Sequence, residues 1–173
     1  LNTGQFEKTL AVLETIQVLP YEHASESRNI YERAHLGVAL DLMKKKKYNK
    51  AISILNKSKE WPENIGVGKP YQSDERAQDY LLAIRYSAIN QDIKKEELLN
   101  DIVEYTNKNI MLSDTNHLFG LLALKKLGKQ TEVEKLLQIL ESSTEEKDFK
   151  NRLVLAFFKK NKEESTKLKA KNI

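Results

Sequence analysis

The fold is decided by FEKTLAVLETIQVLP, residues 6–20, and by its later counterpart YNKAISILNKSKEWP, residues 48–62. Each stretch has an aromatic residue, a small residue three positions later, a leucine four further on, and a closing proline. The matching residues are Phe6, Thr9, Leu13 and Pro20 in the first stretch and Tyr48, Ala51, Leu55 and Pro62 in the second, at a constant offset of 42. Residues three or four apart share one face of a helix, and proline cannot continue that helix. The two stretches therefore predict two equivalent helices.

The rest of the chain has the same helical period. Ile30, Ala34, Val38 and Leu42, for example, fall on one face of a helix. No segment alternates with a period of two for long enough to indicate a strand. We therefore expect an all-α protein with about eight or nine helices.

Weaker repeats follow the first two. Leu98, Ile102 and Tyr105 match Ala51, Leu55 and Ser58 at an offset of 47, and Val133, Leu137 and Leu140 follow 35 residues later. Gly128 precedes the last set, and Asn161 repeats that glycine after 33 residues. The pattern predicts a helix at about 5–19 and helical pairs at about 28–60, 75–108, 115–142 and 145–171. Ser143 and Glu146 have the spacing of a capping box for the last pair.

This arrangement resembles a tetratricopeptide-repeat array, in which an aromatic residue, a small residue and a proline mark the second helix of each pair. The consensus tryptophan and glycine of the first helix are missing. The resemblance implies one domain over residues 1–173, built as a right-handed α-solenoid of antiparallel helix pairs. Since the pattern starts on a second helix, the apolar face of Phe6, Leu10 and Leu13 is expected to lack its preceding helix. We therefore interpret the chain as a C-terminal piece of a longer protein.

A narrower resemblance rests on PYEHASESRNIYERAHLGVAL and WPENIGVGKPYQSDERAQDY, which together span about residues 20–90. These stretches resemble the C-terminal helical-repeat region of large, uncharacterised bacterial proteins. In those proteins a β-rich part, similar to carbohydrate enzymes, precedes the repeats. The resemblance implies an accessory module, with any carbohydrate chemistry located outside this sequence.

Composition excludes several classes of site. There is no cysteine, which excludes disulfides and thiolate metal sites but leaves the compartment open. The longest uncharged apolar run, 153–158, is far shorter than the roughly 20 residues that span a bilayer. The net charge of +4 comes from residues 150–173, which hold eight Lys or Arg and two acids. Because that tail lacks a basic stripe with stacking aromatics, we do not expect a nucleic-acid partner. Because the longest apolar run is so short, we do not expect a membrane span.

The run WPENIGVGKPY, residues 61–71, raises the question of a phosphate-binding loop. Such a loop needs G-x-x-x-x-G-K followed by Ser or Thr. Here Glu63 takes the place of the first glycine and Pro70 follows Lys69, so we reject that interpretation. The simpler prediction is a turn in which Pro62 stops a helix, glycines permit unusual backbone angles, and Trp61 and Tyr71 hold the loop against the helices.

The connections after Pro20 and Pro62 exceed the repeat period by about 8 and 13 residues. Turns between consecutive pairs lie on one edge of a solenoid, so we expect the two connections to be neighbours. Insertions on one edge are frequent binding sites. The candidate binding edge comprises Tyr21, His23, Arg28, Asn29, Trp61, Asn64, Lys69, Tyr71, Asp74 and Arg76.

A second candidate surface is the inner groove, which such arrays line with first-helix residues. It comprises Arg33, Leu36, Leu40, Lys44, Leu118, Leu122 and Lys126. The cations suit an acidic peptide or a C-terminal carboxylate. The leucines are equally consistent with packing against a neighbouring domain.

Nothing in the sequence assembles a catalytic or metal site. His23, His35 and His117 have no metal-ligand spacing, and Ser25 and Ser27 lack a nucleophile motif. We therefore predict a non-catalytic scaffold, without cofactor, that binds a protein, a peptide or another domain of its own chain. The alternative is an accessory helical module of a carbohydrate-active enzyme whose catalytic part lies upstream.

Overall fold

The computed structural model describes residues 4–20, 25–143 and 148–159. These residues form eight α-helices and contain no strand, which confirms the all-α prediction for the described ranges. The helices are α1 (Phe6–Thr15), α2 (Glu26–Lys44), α3 (Tyr48–Lys57), α4 (Arg76–Ala88), α5 (Asp92–Lys108), α6 (His117–Lys126), α7 (Gln130–Ser143) and α8 (Phe149–Phe158). A single turn of 3-10 helix, Glu63–Ile65, lies between α3 and α4.

The chain divides into two compact units, Leu1–Gln91 and Asp92–Ile173. Helices α1 to α4 belong to the first unit and α5 to α8 to the second. The division falls inside the predicted pair 75–108, between α4 and α5. One repeat domain over the whole chain therefore stays a prediction, and the two units are described separately.

The backbone repeats the 42-residue offset that relates the first two stretches. Helix α1 begins at Phe6 and α3 at Tyr48, and each contains 10 residues. The residues that precede them have nearly the same dihedral angles: Gln5 has φ −86° and ψ 55°, and Lys47 has φ −86° and ψ 63°. One position earlier, Gly4 and Lys46 both have a positive φ, of 72° and 56°. The two helices are therefore equivalent in the backbone geometry of the residues that precede them as well as in their sequence pattern.

The same turn recurs at two further places. Lys46, Asn90 and Gly128 all have a positive φ, of 56°, 59° and 74°. In each turn, the next amide donates a hydrogen bond to the carbonyl five residues before it: Lys47 to Leu42 at 2.9 Å, Gln91 to Tyr86 at 2.9 Å, and Lys129 to Leu124 at 3.0 Å. This is the Schellman ending of a helix. Three helices thus end in the same way, and a new helix begins two residues after each positive φ.

The turns correct the predicted alignment of one repeat. Position 46 corresponds to 90 and then to 128, so the offsets are 44 and 38, where the sequence pattern gave 47 and 35. The sum of the two offsets is the same in both alignments. Leu99, which is fully buried, therefore takes the place of Leu55, while Ile102 takes the place of Ser58.

The core of the first unit lies where α1, α2 and the connection after α3 meet. Leu13, Tyr31 and Ile65 form a buried cluster against which Leu10 packs. The Phe6 ring lies so close to Gly37 of α2 that an added Cβ would approach it to under 3.0 Å. Helix α2, which follows α1 in the chain, therefore covers the face of Phe6, Leu10 and Leu13, whose preceding helix we expected to be absent.

In the second unit, α5 and α6 also approach closely. A Cβ at Gly120 of α6 would lie 2.5 Å from the Thr106 side chain of α5. Helix α8 begins after Asp148, whose carboxylate accepts a hydrogen bond from the Asn151 amide at 3.0 Å. The predicted capping box is wrong because Ser143 ends α7 and Asp148 provides the cap. Residues 160–171 of the last predicted pair lie outside the described residues.

Candidate functional site

The connection between α3 and α4 is fastened to the segment that follows α1. The Asn64 side-chain amide donates to the carbonyls of Leu13 and Ile16, at 2.8 and 3.2 Å. The Val18 amide donates to the Asn64 carbonyl at 2.8 Å. Asn64, predicted as a binding residue, therefore joins two parts of the fold.

Gly66 lies in the same contact region. Its φ of 67° falls in the left-handed region, and an added Cβ would lie 2.5 Å from the Val18 carbonyl oxygen. A side chain at this position would therefore be strained both by the backbone conformation and by the lack of space. Of the glycines in the run at 61–71, Gly66 is the one whose identity the fold requires by both criteria.

The start of α2 packs against the end of α3. The Arg28 guanidinium donates to the Ser58 carbonyl at 2.8 Å and lies over the Trp61 ring, 4.4 Å from its centroid. The Ser27 hydroxyl donates to the Ile65 carbonyl at 2.6 Å. The two long connections are thus neighbours where they are described, as the sequence predicted. Tyr21 and His23 lie outside the described residues.

Arg28 is buried, and its neighbours offset only part of the cost of burying its charge. Burial lowers the pKa of its guanidinium, while the nearby Glu32 carboxylate, 3.5 Å away, opposes that shift. Burial in turn raises the pKa of Glu32, and Arg28 opposes it. The Trp61 indole nitrogen is also buried, without a hydrogen-bond partner. The Arg28–Trp61 stack therefore stabilises the junction of α2 and α3 and is not presented to a ligand.

Arg76 is likewise internal. Its guanidinium forms a two-pronged ion pair with Asp74, at 2.9 Å to Oδ1 and 2.7 Å to Oδ2. The Arg76 amide also donates to Asp74 Oδ1 at 3.1 Å, which fixes the start of α4. The expectation that Arg28 and Arg76 are presented at the edge is wrong, because both side chains are buried.

A half-buried ion cluster that the sequence did not reveal connects the residues after α3 to the start of α4. Lys59 Nζ lies 2.8 Å from Glu75 and 2.7 Å from Asp79. Burial alone would lower the pKa of Lys59, but these two carboxylates outweigh it and raise the pKa. Burial would raise the pKa of Glu75, yet the hydrogen bond from Lys59 leaves it below the ordinary value. Acids and lysines are so frequent in this sequence that spacing alone could not single out these three.

The exposed part of the edge is smaller than predicted. Asn29 is exposed, and Lys69 is more than half exposed with its ammonium 3.5 Å from Glu75. Tyr71 is 100% exposed. The prediction that Tyr71 holds the loop against the helices is therefore wrong, whereas Trp61 does pack inward.

A cleft of about 260 Å³ opens between α1, α2 and the end of α3. Tyr31 and His35 line it, with ring centroids 4.2 Å apart. The Tyr31 hydroxyl donates to the Lys57 carbonyl at 3.1 Å, and His35 Nδ1 lies 2.9 Å from the Tyr31 carbonyl oxygen. Burial lowers the pKa of His35, so the neutral ring is favoured. Both aromatic side chains are therefore held by the fold.

The predicted groove residues of the first unit lie on the outward face of α2. Arg33, Leu40 and Lys44 are exposed, and Leu36 is half-buried. Leu40 leaves 43% of its surface in solvent. Because these positions recur every three or four residues, they share one face, with leucines between two cations. In the second unit, Leu118 and Leu122 are half-buried and Lys126 is exposed.

The described residues show no group of histidine and acidic side chains that could hold a metal ion. Within the same ranges, no helix is both long and apolar enough to cross a membrane. Of the described histidines, His117 is buried with Nε2 2.8 Å from the Leu112 carbonyl oxygen. Both His35 and His117 therefore have structural contacts.

Comparisons of this chain with protein-family models, with curated proteins and with solved structures give no match.

Proposed function

We propose that this chain is a non-catalytic scaffold of the tetratricopeptide-repeat type, which binds a protein or peptide segment, or another domain of its own polypeptide. The Schellman turns at Lys46 and Gly128 join helices that pack on each other, α2 with α3 and α6 with α7, which supports helix pairs within each unit; the right-handed solenoid of antiparallel pairs is part of this proposal. The same turn followed by the same helix start gives these two pairs the same local geometry at their turns.

One observation carries the binding proposal: the outward face of α2. Arg33 and Lys44 stand at its two ends, with Leu36 and Leu40 between them. An exposed apolar strip bordered by cations suits an extended or helical peptide with acidic groups at both ends of an apolar core. The strip lies on a helix whose opposite face is buried against α1 and α3, so the surface is held rigidly.

The test is a binding assay with a library of synthetic peptides that carry an apolar centre, acidic residues and a free C-terminal carboxylate. A selected peptide is then titrated by fluorescence anisotropy against the protein and an Arg33→Glu/Lys44→Glu variant. We expect the variant to lose about tenfold in affinity for each charge-assisted contact removed. The matched control is Lys50→Glu/Lys125→Glu, which makes the same change of charge at two exposed lysines outside the α2 face.

Full affinity in the control and loss in the α2 variant would support the proposal. If no peptide of this class binds, or if both variants weaken binding equally, the α2 face is not the binding surface.

A further inference from the structure

The cleft between α1, α2 and the end of α3 lies within the first unit and does not include the outward face of α2. Leu10, Leu13, Pro62 and Ile65 give it an apolar lining. Its volume of about 260 Å³ is just below the roughly 300–1,000 Å³ of typical ligand pockets. The cleft therefore suits a small molecule with an apolar body.

His35 presents a hydrogen-bond acceptor at this cleft. Its Nδ1 lies 2.9 Å from the Tyr31 carbonyl oxygen, which can only accept, so Nδ1 carries the proton. Because burial lowers the pKa of His35, the ring is neutral around pH 7 and Nε2 is left as an acceptor. Nε2 has no hydrogen-bond partner among the described residues, although His35 is only 5% exposed. A donor on a molecule in the cleft would satisfy this nitrogen.

Asn64 and Tyr31 also leave acceptors at the cleft, because their donors are used within the fold. The Asn64 amide nitrogen donates to the carbonyls of Leu13 and Ile16, at 2.8 and 3.2 Å, which fixes the orientation of the amide. The Asn64 Oδ1 has no partner in the part of the chain that the structure describes. The Tyr31 hydroxyl donates its hydrogen to the Lys57 carbonyl at 3.1 Å. Both side chains therefore offer oxygen atoms to a ligand and no donor.

Two carboxylates border the cleft, Glu14 of α1 and Glu60 just after α3. Burial raises the pKa of the Tyr31 hydroxyl, and Glu60 and Glu14 raise it further, whereas Arg28 opposes them. Neither carboxylate forms an ion pair within residues 4–20, 25–143 and 148–159. Among the described residues that line the cleft, Lys57 is the only cation when His35 is neutral. Negative charge and acceptors thus predominate, which favours a cation with several donors.

We propose that this cleft binds a small organic primary amine in its protonated form. An ammonium group has three donors and no acceptor. It donates to His35 Nε2, with the Asn64 oxygen and the carboxylates of Glu14 and Glu60 as further acceptors. The apolar body of the amine packs on the leucines and Ile65. This site is separate from the peptide-binding surface proposed on α2, and either one can exist without the other.

The probe is 2-phenylethylamine, which is compared with two molecules of similar shape. 2-Phenylethanol lacks the charge, and 3-phenylpropionate carries the opposite charge. Each is titrated into the protein at about pH 7.5, where the amine is protonated and His35 is neutral. NMR of the ¹⁵N-labelled protein follows the ring nitrogens of His35. We expect a saturable shift of Nε2 with the amine, and binding of the other two molecules that is at least about tenfold weaker.

A double variant tests the two carboxylates. Glu14→Gln/Glu60→Gln removes both charges and keeps the shape of the side chains, and both residues are exposed, so the fold should tolerate the change. We expect the affinity for the amine to fall about three- to tenfold, because water screens exposed carboxylates. The matched control is Glu96→Gln/Glu97→Gln, which makes the same change of charge at two exposed glutamates of the second unit.

Saturable binding of the amine that only Glu14→Gln/Glu60→Gln weakens would support the proposal. It is overturned if the amine does not bind, if the alcohol or the acid binds as tightly, or if the control variant loses as much affinity. A His35 ring that lacks the proton on Nδ1, or an Nε2 signal that the amine leaves unchanged, would also overturn it.

A lysine side chain carries the same ammonium group on a narrower stem. N-acetyl-lysine amide is therefore titrated in the same way. If it binds more tightly than 2-phenylethylamine, the cleft receives a side chain of another protein and the proposal of a free amine is wrong. Weaker binding of the capped lysine supports the free amine.

Discussion

Replacing Gly37 by alanine should have opposite effects on stability depending on the residue at position 6. Gly37 lies inside α2, where alanine is favoured over glycine by about 1 kcal/mol. However, its Cβ would come within 3.0 Å of three atoms of the Phe6 ring. Forcing an extra methyl into a filled core costs about 1–3 kcal/mol. We therefore expect Gly37→Ala to lower the free energy of unfolding by about 1 kcal/mol, or about 4–8 °C in the thermal midpoint.

With Phe6→Ala in place, the obstructing ring is gone. The same Gly37→Ala change should then raise the free energy of unfolding by about 1 kcal/mol, because the helix preference alone remains. The coupling between the two substitutions is thus about 2 kcal/mol, well above the deviation expected of independent sites.

The assay is urea denaturation followed by the fluorescence of Trp61, which is the sole tryptophan of the sequence and belongs to the first unit. Far-UV circular dichroism, which records helices of both units, serves as the comparison. If Gly37→Ala has the same sign in both backgrounds, the contact between α1 and α2 is not as close as described, and the reasoning is refuted.

Three further predictions concern the junction of α2, α3 and the following loop. Arg28→Met should lower the free energy of unfolding by about 2–3 kcal/mol, since it removes a buried charge-assisted hydrogen bond. The exposed control Arg33→Met should change it by no more than about 0.5 kcal/mol. Urea titration compares the two variants, and equal losses would contradict the structural role given to Arg28. The folded protein favours neutral His35, so its contribution is complete above the unfolded pKa of 6.5 and is lost as the pH falls from that value through the lower pKa of the folded protein. His35→Phe should therefore reduce the drop in thermal midpoint between about pH 7.5 and about pH 5.5, and an unchanged drop would count against this. Tyr71→Ser should leave the thermal midpoint within about 2–4 °C because the side chain is fully exposed, and a larger fall would show that the ring packs on the protein.

The sequence predicted the helices well because their periodicity is strong and their ends carry turn residues. The alignment of α1 with α3 succeeded because an aromatic residue, a small residue and a proline occur together at one offset. The alignment of α5 with α3 was wrong by three residues, since a shift of three nearly preserves the face of a helix. Leu99 and Ile102 are both apolar, so the pattern alone could not distinguish them.

The candidate edge was less predictable, because a residue type does not reveal its burial. Arg28 and Arg76 were expected at the surface, as arginines usually are. Their burial depends on Trp61 and Asp74, whose positions depend on tertiary contacts. Three of the groove residues of α2, Arg33, Leu40 and Lys44, are exposed, because the apolar stripe that packs inward occupies another face of the helix.

The turns with a positive φ join successive helices of this protein in the same way. Lys46, Asn90 and Gly128 have similar positive φ values although the residue differs from turn to turn. A chain that is cut and rejoined at these positions keeps the directions in which one helix ends and the next begins. Gene duplication could therefore lengthen such a protein one hairpin at a time without inventing a new turn, while residues between the turns diverge and change in number.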